Sequence, residues 1–286
     1  MNIENDSLTC VFYFSTSNQL FMKHLFFFLT LVLFITACTN TDDTATLQEE
    51  ISQEVLLKIA NAGFSVADVK KHEAGYIVEG DIYLTEAQLD QAPSSVRFPH
   101  TEQYYTFNVV TSLPRVINVW SDPNLPFRHT LAIDAAIERY NAEGLNITFF
   151  RNRDRSESDI EIVRSTSLPS GTYARAGFPT AAGAPYDEIL VNLSAMGTNP
   201  NFGFATTVYA HELGHCIGFR HSDWMNRSFS CGSGGSEGQQ NTGIGAVLVP
   251  GTPAGPAANS WMLACLSNTT NRPFTASDLV ALDFLY

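Results

Sequence analysis

One stretch of eleven residues contains most of the side chains in this sequence that could perform chemistry. It has the spacing His-Glu-x-x-His-x-x-Gly-x-x-His. On a helix, His211 and His215 lie four residues apart and project from one face, where both imidazoles can bind one metal ion. Glu212 lies beside them, within reach of a metal-bound water. Gly218 permits a sharp turn that brings His221 back as a third ligand.

Three imidazoles and one open position are typical of a catalytic zinc, because structural zinc sites fill all four positions with protein ligands. The sequence therefore predicts one Zn²⁺ ion bound by His211, His215 and His221, with Glu212 as the general base. The alternative is an amphipathic helix that carries His-Glu-x-x-His by chance. The glycine and the third histidine at fixed offsets weigh against that alternative.

The motif resembles that of the metzincin metallopeptidases, and its continuation to Trp224 is most similar to the bacterial dual-action HEIGH metallopeptidases. This resemblance implies an α+β, metzincin-like zincin fold. Such a fold has a twisted mixed sheet, an active-site helix and an irregular C-terminal subdomain below a horizontal cleft. It also implies a zinc metalloendopeptidase that acts on protein or peptide substrates.

Metzincins also have a methionine in a turn beneath the zinc, downstream of the third histidine. Met196 precedes the motif, and Met225 follows the third histidine too closely. Met262 lies at a suitable distance and is predicted to be the Met-turn residue, with ordinary core packing as the alternative. Ala264 stands where some metzincins place a tyrosine ligand, so no tyrosine ligand is expected.

The amino terminus has the pattern of a lipoprotein signal peptide. The apolar run 25–35 follows Lys23 and is too short to span a bilayer, which disfavours the alternative of a transmembrane anchor. Residues 35–38 resemble a lipobox in which Cys38 is lipidated. Because residues 1–21 contain no basic side chain, the natural start is predicted at Met22. We therefore expect an exported bacterial lipoprotein, held to a membrane of the cell envelope or cell surface by this lipid.

Three segments follow from these patterns. Residues 1–37 are predicted to be the signal peptide, and residues 38–103 a lipidated tether with an N-terminal region or pro-region. Residues 104–286 are predicted to be the metallopeptidase catalytic domain, after a Pro- and Ser-containing linker at 91–103. The chain carries a net charge of −13 and no long basic run, which excludes nucleic acid as an expected partner.

Export implies an oxidising compartment, in which disulfides persist. Three cysteines remain after Cys10 and Cys38 are set aside, so one must stay unpaired. Cys216 lies within the metal-binding helix and is expected to be a small buried packing residue. Cys231 and Cys265 flank a Gly- and Pro-rich segment and are the preferred disulfide pair.

Hydrophobic periodicity and capping residues locate the elements that must position the motif. The predicted helices are 49–62, 85–91, 128–142, 204–217 and 275–286, and the predicted strands are 75–84, 116–120, 146–150, 160–164, 172–178 and 188–192. Strand 172–178 is expected at a sheet edge, where it could pair with an extended substrate or simply end the sheet. Asp223 could accept a hydrogen bond within its turn or from a ligand histidine, or remain a solvated carboxylate.

Two classes of function remain open: an active zinc peptidase, and a catalytically quiet peptide- or protein-binding lipoprotein on the same fold. Glu212 favours the first, because a binding relative could lose the base and keep the metal ligands.

A segment ending in Gly80-Asp81 resembles the Phe-x-Gly-Asp segment of astacin propeptides, with Val78 in place of the phenylalanine. The resemblance implies that Asp81 is a latency ligand, occupying the open zinc position in a zymogen that is cut in the linker near Arg97. A strand that ends in an ordinary Gly-Asp turn is the alternative.

Overall fold

The computed structural model describes residues 51–90, 103–237, 244–253 and 255–286. The predicted signal peptide, Met22, Cys38 and most of the predicted linker lie outside the described residues. Within the described ranges, no helix is long and apolar enough to cross a membrane.

The N-terminal region is a small layer of two helices and an antiparallel sheet. Its elements are α1 (Gln53–Asn61), β1 (Lys70–His72), β2 (Gly75–Val78), β3 (Ile82–Thr85) and α2 (Glu86–Asp90), with strand order β1-β2-β3. The side chain of Ser52 caps α1. Thr85 and Gln88 cap α2 reciprocally, each side chain accepting a hydrogen bond from the backbone N–H of the other.

The single strand predicted over 75–84 is wrong, because the structure shows two strands joined by a three-residue loop, Glu79-Gly80-Asp81. Glu79 and Gly80 both have positive φ, at 57° and 100°. This left-handed backbone reverses the chain, and alternating apolar residues on either side hide the break from the sequence pattern.

The main sheet has five strands, and its four parallel strands are followed by one antiparallel edge strand. The order is β6 (Ile147–Arg151), β5 (Arg115–Ser121), β7 (Ile160–Ser165), β9 (Glu188–Asn192) and β8 (Ala174–Arg175). Only β8 runs antiparallel to its neighbour, β9. The sheet edge predicted at 172–178 is therefore present, although just two of its residues form the strand.

Two long helices pack beside this sheet and form the main core with it. They are α3 (Phe127–Asn141) and α5 (Phe202–Cys216). Every residue from Phe204 to Cys216 is buried, which is typical of a central helix rather than a surface helix. Tyr140 on α3 donates a hydrogen bond to the carbonyl of Ala210 on α5, at 2.7 Å.

The part of the chain after α5 contains little regular structure. Its elements are α6 (Ser228–Cys231), β10 (Val247–Leu248), which pairs with β4 (Tyr104–Tyr105), and the closing helix α7 (Ala276–Leu285). A further single turn, α4 (Leu193–Met196), precedes α5. The capping box of Thr275 and Asp278 begins α7, in agreement with the predicted cap.

The α+β fold class is confirmed, with a mixed sheet, a buried central helix and an irregular C-terminal part. Residues Glu49–Tyr286 form one compact unit. The N-terminal layer therefore packs against the rest of that unit, and Ile77 and Tyr83 of its hairpin belong to the main hydrophobic core.

Candidate metal centre

Helix α5 and the turn after it bring the three histidines together. His211 and His215 lie in the last turns of α5, which ends at Cys216, and the chain turns at Gly218, where φ is +112°. The N–H of Phe219 returns to the carbonyl of Gly214 at 2.9 Å. A Cβ at Gly218 would lie 3.0 Å from the carbonyl oxygen of Asn108, so the turn requires glycine both for space and for its backbone angle.

Each imidazole is oriented by a hydrogen bond from its Nδ1. His211 Nδ1 lies 2.9 Å from the Trp261 carbonyl, and His215 Nδ1 lies 2.7 Å from the Phe219 carbonyl. His221 Nδ1 lies 2.8 Å from Glu237 Oε1. Because these acceptors have no proton to donate, each Nδ1 carries the hydrogen and each Nε2 keeps a free lone pair. All three histidines can therefore act as Nε2 metal ligands.

Asp81 completes the group as a fourth possible ligand. Its carboxylate oxygens lie 3.5 Å from His211 Nε2 and 3.2 Å from His221 Nε2. One ligand atom from each of Asp81, His211, His215 and His221 lies within 4.8 Å of the other three. Burial opposes ionisation of Asp81, but the neighbouring imidazoles of His221 and His211 bring its pKa well below the usual range.

These four possible ligand atoms fit a cation with tetrahedral coordination. Four ligand atoms at about 2.0–2.1 Å from a zinc lie about 3.3 Å from one another, close to the distances from Asp81 to two of the histidines. Among the described residues, the three Nε2 atoms and Asp81 Oδ1 are buried without a hydrogen-bond partner. Buried polar atoms are rarely left unpaired, so the convergence of these four fits a site that binds a cation.

Glu212 is buried and lines a cleft of about 390 Å³ beside the histidines. Asp81, His211 and Thr172 line the same cleft. Burial, followed by the nearby charge of Asp81, raises the pKa of Glu212 well above its usual value. A carboxyl group with a raised pKa can accept and return a proton near neutral pH.

Met262, the predicted Met-turn residue, packs against helix α5. It is fully buried, and its carbonyl accepts a hydrogen bond from the N–H of Ser222 at 2.8 Å. A Cβ at Gly214 would lie 2.6 Å from Met262 Sδ, so only glycine lets the helix approach the turn this closely. The sequence spacing did not reveal this role of Gly214.

A buried charge cluster behind His221 was missed by the sequence reasoning. Glu237 accepts a hydrogen bond from His221 and forms an ion pair with Arg227, whose Nε lies 3.2 Å away. Arg220 Nη2 donates hydrogen bonds to both carboxylate oxygens of Glu79, at 3.0 and 3.2 Å. Burial, and then Glu237, raises the pKa of Glu79 against the opposing charge of Arg220. These partners lie far apart in sequence, so no local spacing could identify them.

The other residues singled out from the sequence contribute to the fold. Cys231 and Cys265 are joined by a disulfide, and Cys216 is free and buried. Asp223 accepts hydrogen bonds from Ser230 and from the backbone N–H of Ala264. Asp223 therefore stabilises the turn, and the histidine partner is Glu237 instead.

The hairpin loop also occupies the sheet edge. The N–H of Tyr83 donates to the carbonyl of Ala176 at 2.7 Å, and the N–H of Ala176 donates to the carbonyl of Asp81 at 3.1 Å. Thr172 Oγ1 donates to the carbonyl of Gly80 at 2.9 Å. Residues 81–83 thus lie along the strand edge that was expected to pair with a substrate.

Comparison with protein families places these residues in a known group. The chain belongs to the dual-action HEIGH metallo-peptidase family, whose model matches residues 76–286. The matched range includes the hairpin loop with Asp81 as well as the three histidines. The predicted family is confirmed.

Among solved structures, the chain is similar to two of myroilysin, both at 16% identity. The first match has a TM-score of 0.34 and covers 42% of this chain and 56% of the myroilysin chain. The second has a TM-score of 0.37 and covers 60% of this chain and 83% of the myroilysin chain. A third similar structure is that of high choriolytic enzyme 1, a hatching enzyme zinc-protease from the medaka fish Oryzias latipes, at 19% identity. This match has a TM-score of 0.26 and covers 39% of this chain and 47% of the hatching enzyme chain. This chain therefore spans about half the length of the first and third of these structures. No curated protein matched the chain.

Proposed function

We propose that this protein is a zinc-dependent endopeptidase whose metal ligands are His211, His215 and His221. The convergence of three Nε2 atoms, each fixed by a hydrogen bond at Nδ1, carries this proposal. Bound at this site, zinc supplies a Lewis acid that acidifies a water molecule and polarises a peptide carbonyl. Neutral imidazoles buried in this way are ligands that zinc accepts readily.

Glu212 is the proposed general base. It follows His211 directly on α5 and lines the cleft, so its carboxylate faces the position where a water and a scissile bond would meet. Glu212 takes a proton from the water and delivers it to the leaving amine. Its raised pKa supports both halves of this transfer.

The described chain is proposed to be a zymogen, because Asp81 lies where the catalytic water would bind. The carboxylate contacts two of the three histidines, and the backbone of 81–83 occupies the sheet edge. Substrate would need both positions. The Gly-Asp turn and the latency role of Asp81 were predicted as alternatives, but the two are compatible. The Glu79-Gly80-Asp81 turn is the element that holds the aspartate beside the histidines.

Anchoring through a lipid on Cys38 and location in the bacterial cell envelope remain part of the proposal. The lipobox-like residues 35–38 support them. The Cys231–Cys265 disulfide is consistent with export, because such bonds persist in oxidising compartments.

Substitution of the base separates an active peptidase from a protein that only binds peptides. In the chain activated by cleavage in the linker, we expect Glu212→Gln to keep one zinc per chain and to lose about 10²–10⁴-fold in kcat for peptide hydrolysis. Glu157→Gln, on an exposed turn, is the matched control and should match wild type. Equal hydrolysis by Glu212→Gln and wild type would exclude Glu212 as the base and favour the binding function.

A further inference from the structure

Arg220 is a buried cation whose carboxylate and aromatic partners come from the N-terminal layer. Arg220 and Glu79 are 0% and 1% exposed, and Arg220 Nη2 contacts both carboxylate oxygens of Glu79. The guanidinium also stacks over the ring of Phe64, at 4.2 Å from its centroid. Its Nη1 donates to the Gly245 carbonyl at 3.2 Å.

Loss of the N-terminal layer would remove the carboxylate and the aromatic ring together. Of the contacts described above, Arg220 would then keep only the bond to the Gly245 carbonyl. A guanidinium stays protonated at all physiological pH values. An unpaired charge in such a pocket is unfavourable unless another anion binds it. The pocket around Arg220 is therefore suited to a carboxylate.

The position of Glu79 places this pocket close to the reacting bond. Asp81 lies at the metal ligands, and residues 81–83 run along the sheet edge. Glu79 precedes Asp81 by two residues, and two residues span at most about 7 Å. Arg220 itself directly precedes the ligand His221. A carboxylate on Arg220 would therefore belong to a substrate residue within about two positions of the scissile bond.

The charges that remain near Arg220 are more positive than negative. Glu237 is the one other carboxylate of the cluster described above, and its charge is shared among Arg220, His221 and Arg227. Arg227, which follows the third histidine and stays after loss of the N-terminal layer, lines the adjoining cleft and favours anionic groups there. An acidic side chain entering this side of the cleft would thus meet a net positive surface.

We propose that Arg220 is a specificity-determining residue that selects substrates with Asp or Glu within two positions of the cleaved bond. Glu79 is the intramolecular occupant of that subsite in the uncut chain. This inference rests on the proposed peptidase function and on release of the N-terminal layer.

Matched peptides test the selection directly in the full chain activated by cleavage in its linker. Peptides that differ only by Glu or Gln at each position near the cleaved bond are compared by kcat/KM. At one position we expect Glu to be preferred by about 10- to 100-fold, the range for a hydrogen bond to a charged group. Arg220→Gln should reduce that ratio to about one. A ratio near one in wild type, with ready hydrolysis, overturns this inference and leaves the peptidase function intact.

Carboxylate rescue tests the pocket without any catalysis. The full-length Glu79→Ala variant should show a higher Tm in acetate than in acetamide at equal concentration and ionic strength, because acetate can replace the lost carboxylate. Arg220→Gln in the same background should abolish the difference. Glu73→Ala is the matched control, since it breaks another ion pair of the N-terminal layer, with Arg175, and leaves Arg220 untouched.

The two experiments distinguish the possible failures. Absence of hydrolysis of every peptide contradicts the proposed function, whereas acetate rescue still decides whether Arg220 binds a carboxylate. If acetate stabilises Glu79→Ala no more than Glu73→Ala, the Glu79–Arg220 pair is only a folding contact, and the inference is wrong.

Discussion

At the scale of residues, the site depends on the outer nitrogen of each imidazole. His211 and His215 donate to main-chain carbonyls, whereas His221 donates to the carboxylate of Glu237. A carboxylate acceptor makes an imidazole a more basic ligand than a carbonyl does. Burial lowers the pKa of His221, but the charges of Glu237 and Asp81 raise it well above its usual value. Glu237 therefore makes His221 a more basic ligand than a carbonyl acceptor would.

We predict that Glu237→Gln weakens zinc binding by about 10- to 100-fold, the usual effect of removing such a partner. The amide can still accept the hydrogen of His221 but carries no charge. Competition with a chelator of known affinity measures the change in Kd. Asp223→Asn is the matched control, because Asp223 is equally buried and bonds to the turn instead of a histidine. A similar loss in both variants would show a general disturbance of the turn.

The motif allowed the ligands and base to be proposed from the sequence, because each depends on spacing within one helix and one turn. Glu237 follows His221 by sixteen residues, and Arg220 and Glu79 are separated by 141 residues. Contacts of this kind depend on how distant segments pack. No periodicity or spacing in the sequence encodes them.

At the scale of elements, α3, α5 and α7 were predicted to within about two residues, because an apolar face or a cap marks them. The helix predicted over 49–62 begins only at Gln53, after its cap Ser52. The hairpin of β2 and β3 was missed, since its turn uses a glutamate in the left-handed region. Non-glycine residues in that region cluster at functional sites. The unusual backbone at Glu79 is therefore consistent with a loop that must present Asp81 to the histidines.

The disulfide stabilises the irregular segment below the cleft. Cys231 and Cys265 are 34 residues apart, and closing such a loop stabilises the folded state by about 3–4 kcal/mol in the chain-entropy model. We expect the double variant Cys231→Ser, Cys265→Ser to lose stability of this order in equilibrium denaturation. With a reducing agent present, wild type should approach the variant. Peptide mapping that finds Cys216 in a bridge would contradict the assignment.

At the scale of the whole molecule, the N-terminal layer is part of the fold of the uncut chain. Ile77 and Tyr83 lie in the main core, and Arg175 pairs with Glu73 of the layer and with Glu188 of the sheet. The layer also covers the sheet edge and the metal ligands. Inhibition is thus expected to depend on tertiary packing as much as on one carboxylate.

We predict that the full-length chain hydrolyses peptides slowly and that Asp81→Ala raises its kcat/KM by about 10- to 100-fold. The reason is the loss of a charged contact at the metal position, which is worth about 1.5–3 kcal/mol. Glu86→Ala, on the exposed side of α2, is the control, and its kcat/KM should remain as low as that of the full-length wild type. If uncut wild type is as active as the chain freed of the N-terminal layer, Asp81 is not a latency ligand.

The most direct test of the peptidase account is to follow bound zinc and peptide hydrolysis in the same activated sample during removal of the metal. A chelator withdraws zinc in steps, and both quantities are measured at each step. We predict about one zinc per chain at the start, activity that falls in proportion to bound zinc, and recovery when zinc is restored. Full activity in a sample without zinc would contradict the account.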